Sequence, residues 1–239
     1  MFVPFENCPE ISVKRTFNEE NGTVYVRYFY KRKPIPAVLL DSKLSEQLAG
    51  YSMIQKDLKT VYNWLESIHN LVPNLSEAKG NFLQAKDRET FNIVKGLFVS
   101  SLTFYAKCFT NCPGRRSRLN RNTLSEEYRS AHDEIMLYRN SFAAHSGKEQ
   151  LEMAKSILII NTKKDYEIRI SQERAQPDYI HPQGEISFKR LITHLLEKVS
   201  EKQDKVERKL LDEILLNKDD FRKYCKSTQG IFVQLNNGF

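Results

Sequence analysis

The chain of 239 residues is 40% hydrophobic and 28% charged, with a formal net charge of +7 and a pI near 9.1, which fits a globular protein with an acidic partner: RNA, DNA or an anionic protein. No apolar run approaches the ~20 residues needed to span a bilayer, and the amino terminus lacks the basic-then-apolar plan of a signal peptide, so a cytoplasmic protein without a membrane partner is expected. Cys8, Cys108, Cys112 and Cys225 are scattered, and the near pair Cys108/Cys112 lacks the second pair of ligands of a structural zinc site, so reduced thiols and no metal are expected.

Apolar and polar residues alternate over 11–17 and 23–32, around the turn signal Asn21-Gly22, which predicts a β-hairpin at 11–32. Its second strand carries Tyr25, Tyr28, Phe29 and Tyr30 with basic residues following. Such a strand either packs on a core or stacks the bases of a single-stranded nucleic acid. Pro34 and Pro36 end the hairpin, and Ser42 is placed to cap a helix.

From Lys43 to Leu71 the positions Leu44, Leu48, Tyr51, Ile54, Leu58, Val61, Leu65 and Ile68 keep a three-four spacing, the mark of an amphipathic helix with one buried seam. Pro73, Asn74 and Gly80 mark a loop. A second helix is predicted from about Asp87 to Cys112, with Phe91, Val94, Phe98, Leu102 and Tyr105 as a core stripe, stopped by Pro113-Gly114. The following loop places Arg115, Arg116, Arg118 and Arg121 within seven positions. Such a cluster suits a phosphate backbone, and equally a solvated basic loop.

Thr123 and Glu126 match a capping box. The helix they phase carries Leu124, Tyr128, Ala131, Ile135, Tyr138, Phe142 and His145 along one seam, with Arg139 and Asn140 on its shoulder. A guanidinium holds phosphate through paired hydrogen bonds, and an imidazole exchanges protons near neutral pH. In one ideal helix Arg139 and His145 stand about 120° and about 9 Å apart. Their cooperation needs a distorted last turn or a second copy of the helix. His132 lies on the same side as Arg139 and is a secondary candidate, with a packed or exposed histidine as the alternative. A second hairpin is expected at 156–171, pairing with the first, then a loop at Pro177 and Pro182, a closing helix over 186–216, and a short helix with a weakly ordered tail at 227–239.

The segment Arg139-Asn140-Ser141-Phe142-Ala143-Ala144-His145, late in a capped helix, resembles the HEPN superfamily, whose motif is an Arg, a polar residue that is often Asn, four residues and a His. The ending Ala144-His145-Ser146 is similar to the abortive-infection type of HEPN protein. The likeness covers the helical plan over 43–147 and extends to the closing helix, while the two hairpins are additions to it. The resemblance implies a mainly α fold, a HEPN-like helical bundle elaborated with two short β-hairpins, as one domain over 1–239. It implies a homodimer that brings two motifs into one cleft, and metal-independent RNA cleavage without a cofactor. Arg139 would bind the scissile phosphate, Asn140 would orient the His or the phosphate, and His145 would act in proton transfer, with Arg115, Arg116, Arg118 and Arg121 as substrate contacts. The role implied is that of a defence protein or toxin, with an antitoxin or nucleotidyltransferase as companion. The alternative within the family is a non-catalytic module binding RNA, a nucleotide or a protein.

Overall fold

The computed structural model describes residues 3–5, 8–19, 22–72, 82–83, 88–144, 153–163, 167–175, 177–182, 184–226 and 231–234. The chain divides into two compact units, Met1–Glu46 with Lys205–Phe239, and Gln47–Asp204. In chain order the elements are β1 (Val3–Phe5), β2 (Cys8–Asn18), β3 (Thr23–Tyr30), β4 (Lys33–Ile35), α1 (Lys43–Leu71), β5 (Phe82–Leu83) and α2 (Arg88–Lys107). Then come α3 (Glu126–Tyr138), a π-helical turn (Arg139–Ala144), β6 (Met153–Asn161), β7 (Glu167–Ala175), β8 (Tyr179–Ile180), α4 (Phe188–Leu216), α5 (Lys218–Cys225) and β9 (Ile231–Gln234).

In the first unit β3 is the hub of an antiparallel sheet. It pairs with β2 along one edge, from Ile11 opposite Tyr30 to Asn18 opposite Thr23. Its other edge is shared end to end by β4, which takes Tyr28 to Tyr30, and β9, which takes Thr23 to Val26. β1 extends the sheet beyond β2. Alternation sends Val13 and Val26 to one face, where they are 3% and 6% exposed. Between β3 and β4 the turn residues Lys31 and Arg32 both have positive φ, at 46° and 68°, as a tight hairpin turn of matching twist requires. Ser42 caps α1 as predicted, its Oγ accepting from the Ser45 amide at 3.1 Å.

In the second unit the α1 seam is buried as its spacing predicts, through Tyr51, Ile54, Leu58, Val61, Leu65 and Ile68. It shares the core with Val94, Phe98, Leu102 and Tyr105 of α2, with Tyr128, Ala131, Ile135 and Tyr138 of α3, and with Phe188, Leu191, Ile192, Leu195 and Val199 of α4. Each large aliphatic or aromatic side chain so buried contributes about 1.5–3 kcal/mol. Phe98 packs on Tyr179 with centroids 4.6 Å apart, and Tyr105 meets Phe188 edge-on at 5.4 Å. Gly50 lets the loop after α2 approach α1: a Cβ there would lie 2.7 Å from Ser117 Cβ, and Ser117 Oγ donates to the Gln47 carbonyl at 3.0 Å. No helix among the described residues is long and apolar enough to cross a membrane.

Several expectations are corrected. The fold is an α+β mixture, not a helical bundle carrying two hairpins, because the first hairpin is the centre of a larger sheet. The C-terminal segment, expected as a tail, supplies one of its strands at Ile231–Gln234. Among the described residues the second hairpin pairs only with itself, from Met153 opposite Ala175 to Asn161 opposite Glu167, and not with the first. Its aliphatic side chains stay exposed, up to 75% at Ile170. Tyr179–Ile180, in the expected loop, is a buried strand paired with Phe82–Leu83. Thr123 does not cap α3: it ends a short 3-10 turn and its Oγ1 accepts from the Asn120 amide at 3.4 Å, while α3 starts at Glu126.

Candidate active site

α3 does not end in an ordinary α-turn. From Arg139 to Ala144 the backbone widens into a π turn, which packs against α2 as well as α3. π turns are rare and recur at functional sites, because the wider winding re-aims the side chains it carries. The Arg139 amide still bonds to the carbonyls of Ile135 and Met136 at the end of α3. Arg139 is half-buried, and its Nη1 donates to Asn140 Oδ1 at 3.0 Å. Four N–H donors remain on the guanidinium and two on the amide, beside one lone pair left on Oδ1. A donor-rich pair of this kind suits an anion with several acceptor oxygens. Next to it Tyr138 donates its hydroxyl to Glu134. His145 lies outside the described residues, as does the stretch following it to residue 152.

The arginines of the preceding loop are separated by the fold. Arg115 turns inward: its Nη1 lies 3.2 Å from Asp57 Oδ2, and its Nη2 donates to the Lys107 carbonyl. Asp57 also meets Lys107 Nζ at 3.2 Å. Arg121 is held by Asp133 of α3 through Nε at 2.9 Å and Nη2 at 2.8 Å. That contact holds the Asp133 carboxyl below its ordinary pKa and raises that of Arg121. Arg116 and Arg118 remain exposed. The four arginines are therefore divided between the surface, where Arg116, Arg118 and the Asp133-paired Arg121 lie, and the interior, where Arg115 lies.

His132 is a packed histidine. Only 6% exposed, it sits against Phe109 at 4.4 Å between ring centroids, and its Nδ1 is 2.7 Å from Tyr105 Oη. Burial pushes the His132 pKa down against the opposing pull of Asp133, and pushes the Tyr105 hydroxyl well above its ordinary range. The two groups share one hydrogen bond, whose donor is set by the tautomer of the His132 ring. His194, not singled out in the sequence, is built in similarly: it stacks on Tyr128 at 3.9 Å, and its Nε2 accepts from the Ser125 amide at 3.3 Å. Beside it a shallow groove of about 430 Å³ is lined by Lys189, Arg190, Thr193 and His194. The signal for both buried pairs was a polar residue inside an apolar seam, Asp57 between Ile54 and Leu58, and His194 between Leu191 and Leu195.

Among the described residues no group of three or more His, Cys, Asp or Glu side chains is placed to hold a metal ion. The chain matches no protein-family model, no curated protein and no solved structure.

Proposed function

We propose that this protein is an endoribonuclease of HEPN type, cleaving RNA without a metal or cofactor, in the cytoplasm and as a homodimer serving defence or stress. The observation that supports the reading is the hydrogen-bonded, donor-rich pair of Arg139 and Asn140 on a π turn at the end of α3, a turn whose last residue, Ala144, precedes His145 in the chain.

In this chemistry a ribose 2′-hydroxyl attacks the adjacent phosphorus, its proton leaves, and the P–O5′ bond breaks to give a 2′,3′-cyclic phosphate and a 5′-hydroxyl. Arg139 neutralises the phosphoryl oxygens as charge builds on them, and the Asn140 amide orients the phosphate. His145 moves the proton, as base toward the 2′-hydroxyl or as acid toward the leaving 5′-oxygen. A second copy of the motif in the dimer supplies the complementary role. The need for an attacking 2′-hydroxyl restricts the reaction to RNA.

Arg139→Ala and His145→Ala are each expected to slow cleavage of a structured RNA by ~10²–10⁴ while the circular dichroism spectrum and melting temperature stay those of the wild type. RNA binding that persists in both variants, with no product from the wild type, would replace this reading with a non-catalytic RNA-binding module.

A further inference from the structure

The antiparallel sheet of the first unit has two unlike faces. On one, Val13 and Val26 are buried. The other presents Ser12, Lys14 and Thr16 from β2 and Tyr25, Arg27 and Phe29 from β3, in register as Ser12 opposite Phe29, Lys14 opposite Arg27 and Thr16 opposite Tyr25. None of these six is buried, and Lys14, Thr16 and Arg27 are exposed.

Lys14 and Arg27 are direct cross-strand neighbours. Like charges so placed lower the stability of a sheet, their Cβ atoms being only about 4.5–5.5 Å apart. Among the described residues of β2 and β3 the acid on this face is Glu10, at the far end, and it is paired with Lys31 at 3.3 Å. The basic pair is therefore kept together without a carboxylate between its members. Aromatic rings flank it along β3, Tyr25 and Phe29, each about 6.8 Å from Arg27 along the strand. Arg27 is held in place by its neighbour: its Nε donates to Tyr25 Oη at 3.0 Å, and its guanidinium carbon is 5.1 Å from the Tyr25 ring centre. The rest of the guanidinium fork remains for an anion.

We propose that this open face binds single-stranded nucleic acid, with a backbone phosphate between Lys14 and Arg27 and adjoining bases against Tyr25 and Phe29. A phosphate at that point removes the like-charge repulsion that the bare sheet carries, and flat rings on either side accept any base. Hydroxyls at Ser12 and Thr16 add neutral donors at the margins. The site is argued from the sheet alone and does not depend on RNA cleavage.

The test is fluorescence anisotropy of the full chain with a labelled dodecauridylate carrying 2′-O-methyl groups, a probe that cannot be cut by 2′-hydroxyl attack. Its outcome is thus separate from that of the cleavage assay. Wild type should bind at low salt, and Lys14→Gln/Arg27→Gln should bind at least 10-fold more weakly. Its plot of log affinity against log salt should be shallower by about 0.7, for the one phosphate no longer neutralised. Phe29→Leu, which keeps an apolar side chain, should weaken binding by about 5-fold or more. The melting temperature of the double variant should equal or exceed that of the wild type, because a repulsion has been removed. The proposal is overturned if the wild type does not bind, if the double variant binds like the wild type or melts lower, or if Lys209→Gln, on the exposed side of α4, weakens binding equally.

Discussion

Asp57 of α1 and Arg115 of the loop after α2 form a buried ion pair, 3.2 Å apart and each side chain only 1% exposed, which Lys107 Nζ joins from the surface at 3.2 Å from Asp57. Removing one member of such a pair strands the other charge in the interior, which costs about 3–5 kcal/mol. Asp57→Ala should therefore lower the unfolding free energy by that much in urea titration. Asp57→Leu combined with Arg115→Met should recover a large part of it. A loss below 1 kcal/mol in the single variant would mean that the pair is open to solvent.

Gly50 sits where α1 meets Ser117, with a built Cβ 2.7 Å from Ser117 Cβ and 3.0 Å from the Ser117 backbone nitrogen. Alanine is the better helix former, by about 1 kcal/mol. Gly50→Ala should nonetheless destabilise the protein, by about 1–3 kcal/mol from overpacking, since part of the clash is with backbone. A stabilised variant would show that α1 and the loop are not in close contact.

Lys31 and Arg32 occupy left-handed backbone, φ 46° and 68°, where non-glycine residues are strained by roughly 1–2 kcal/mol each. Replacing them by Asn-Gly supplies the sequence that tight hairpin turns favour, at the loss of an exposed Lys31–Glu10 contact. The variant should be about 1 kcal/mol more stable by chemical denaturation, and a less stable one would contradict the assigned turn.

The pKa of His132 is lowered, first by burial and then by Arg121, with Asp133 opposing. The native state thus resists protonation while the unfolded chain accepts a proton at the ordinary value near 6.5. Stability held by neutral His132 is present above pH 6.5 and lost as the pH falls from there toward its depressed folded pKa. His194 acts in the same direction, through burial and then Lys198. Melting temperature should fall between pH 7 and pH 5, and the fall should shrink in His132→Gln. An unchanged pH profile in that variant would mean that His132 is solvated.

What the sequence disclosed follows from the range of each interaction. The α1 seam and the Ser42 cap are local, set by residues three or four apart, and both were readable. The first hairpin was readable from its alternation. The sheet around it was not, because β9 is four residues long and its partner β3 lies some two hundred residues earlier, beyond anything that periodicity reports. Among the loop arginines, Arg115 and Arg116 are chemically identical neighbours, and only the position of Asp57, 58 residues earlier, turns the first inward. The π turn leaves no mark in the apolar spacing of α3, which runs on in phase through Phe142. The open sheet face was half readable: alternation defines two faces, but only the packing on Val13 and Val26 decides which is covered.

The most direct test of RNA cleavage is to incubate purified wild type and Arg139→Ala with a labelled structured RNA in the presence of chelator, and to analyse the product ends. Cleavage by the wild type alone, leaving 2′,3′-cyclic phosphate and 5′-hydroxyl ends, is the predicted result. Equal cleavage by Arg139→Ala, or products ending in 3′-hydroxyl and 5′-phosphate, would contradict the account.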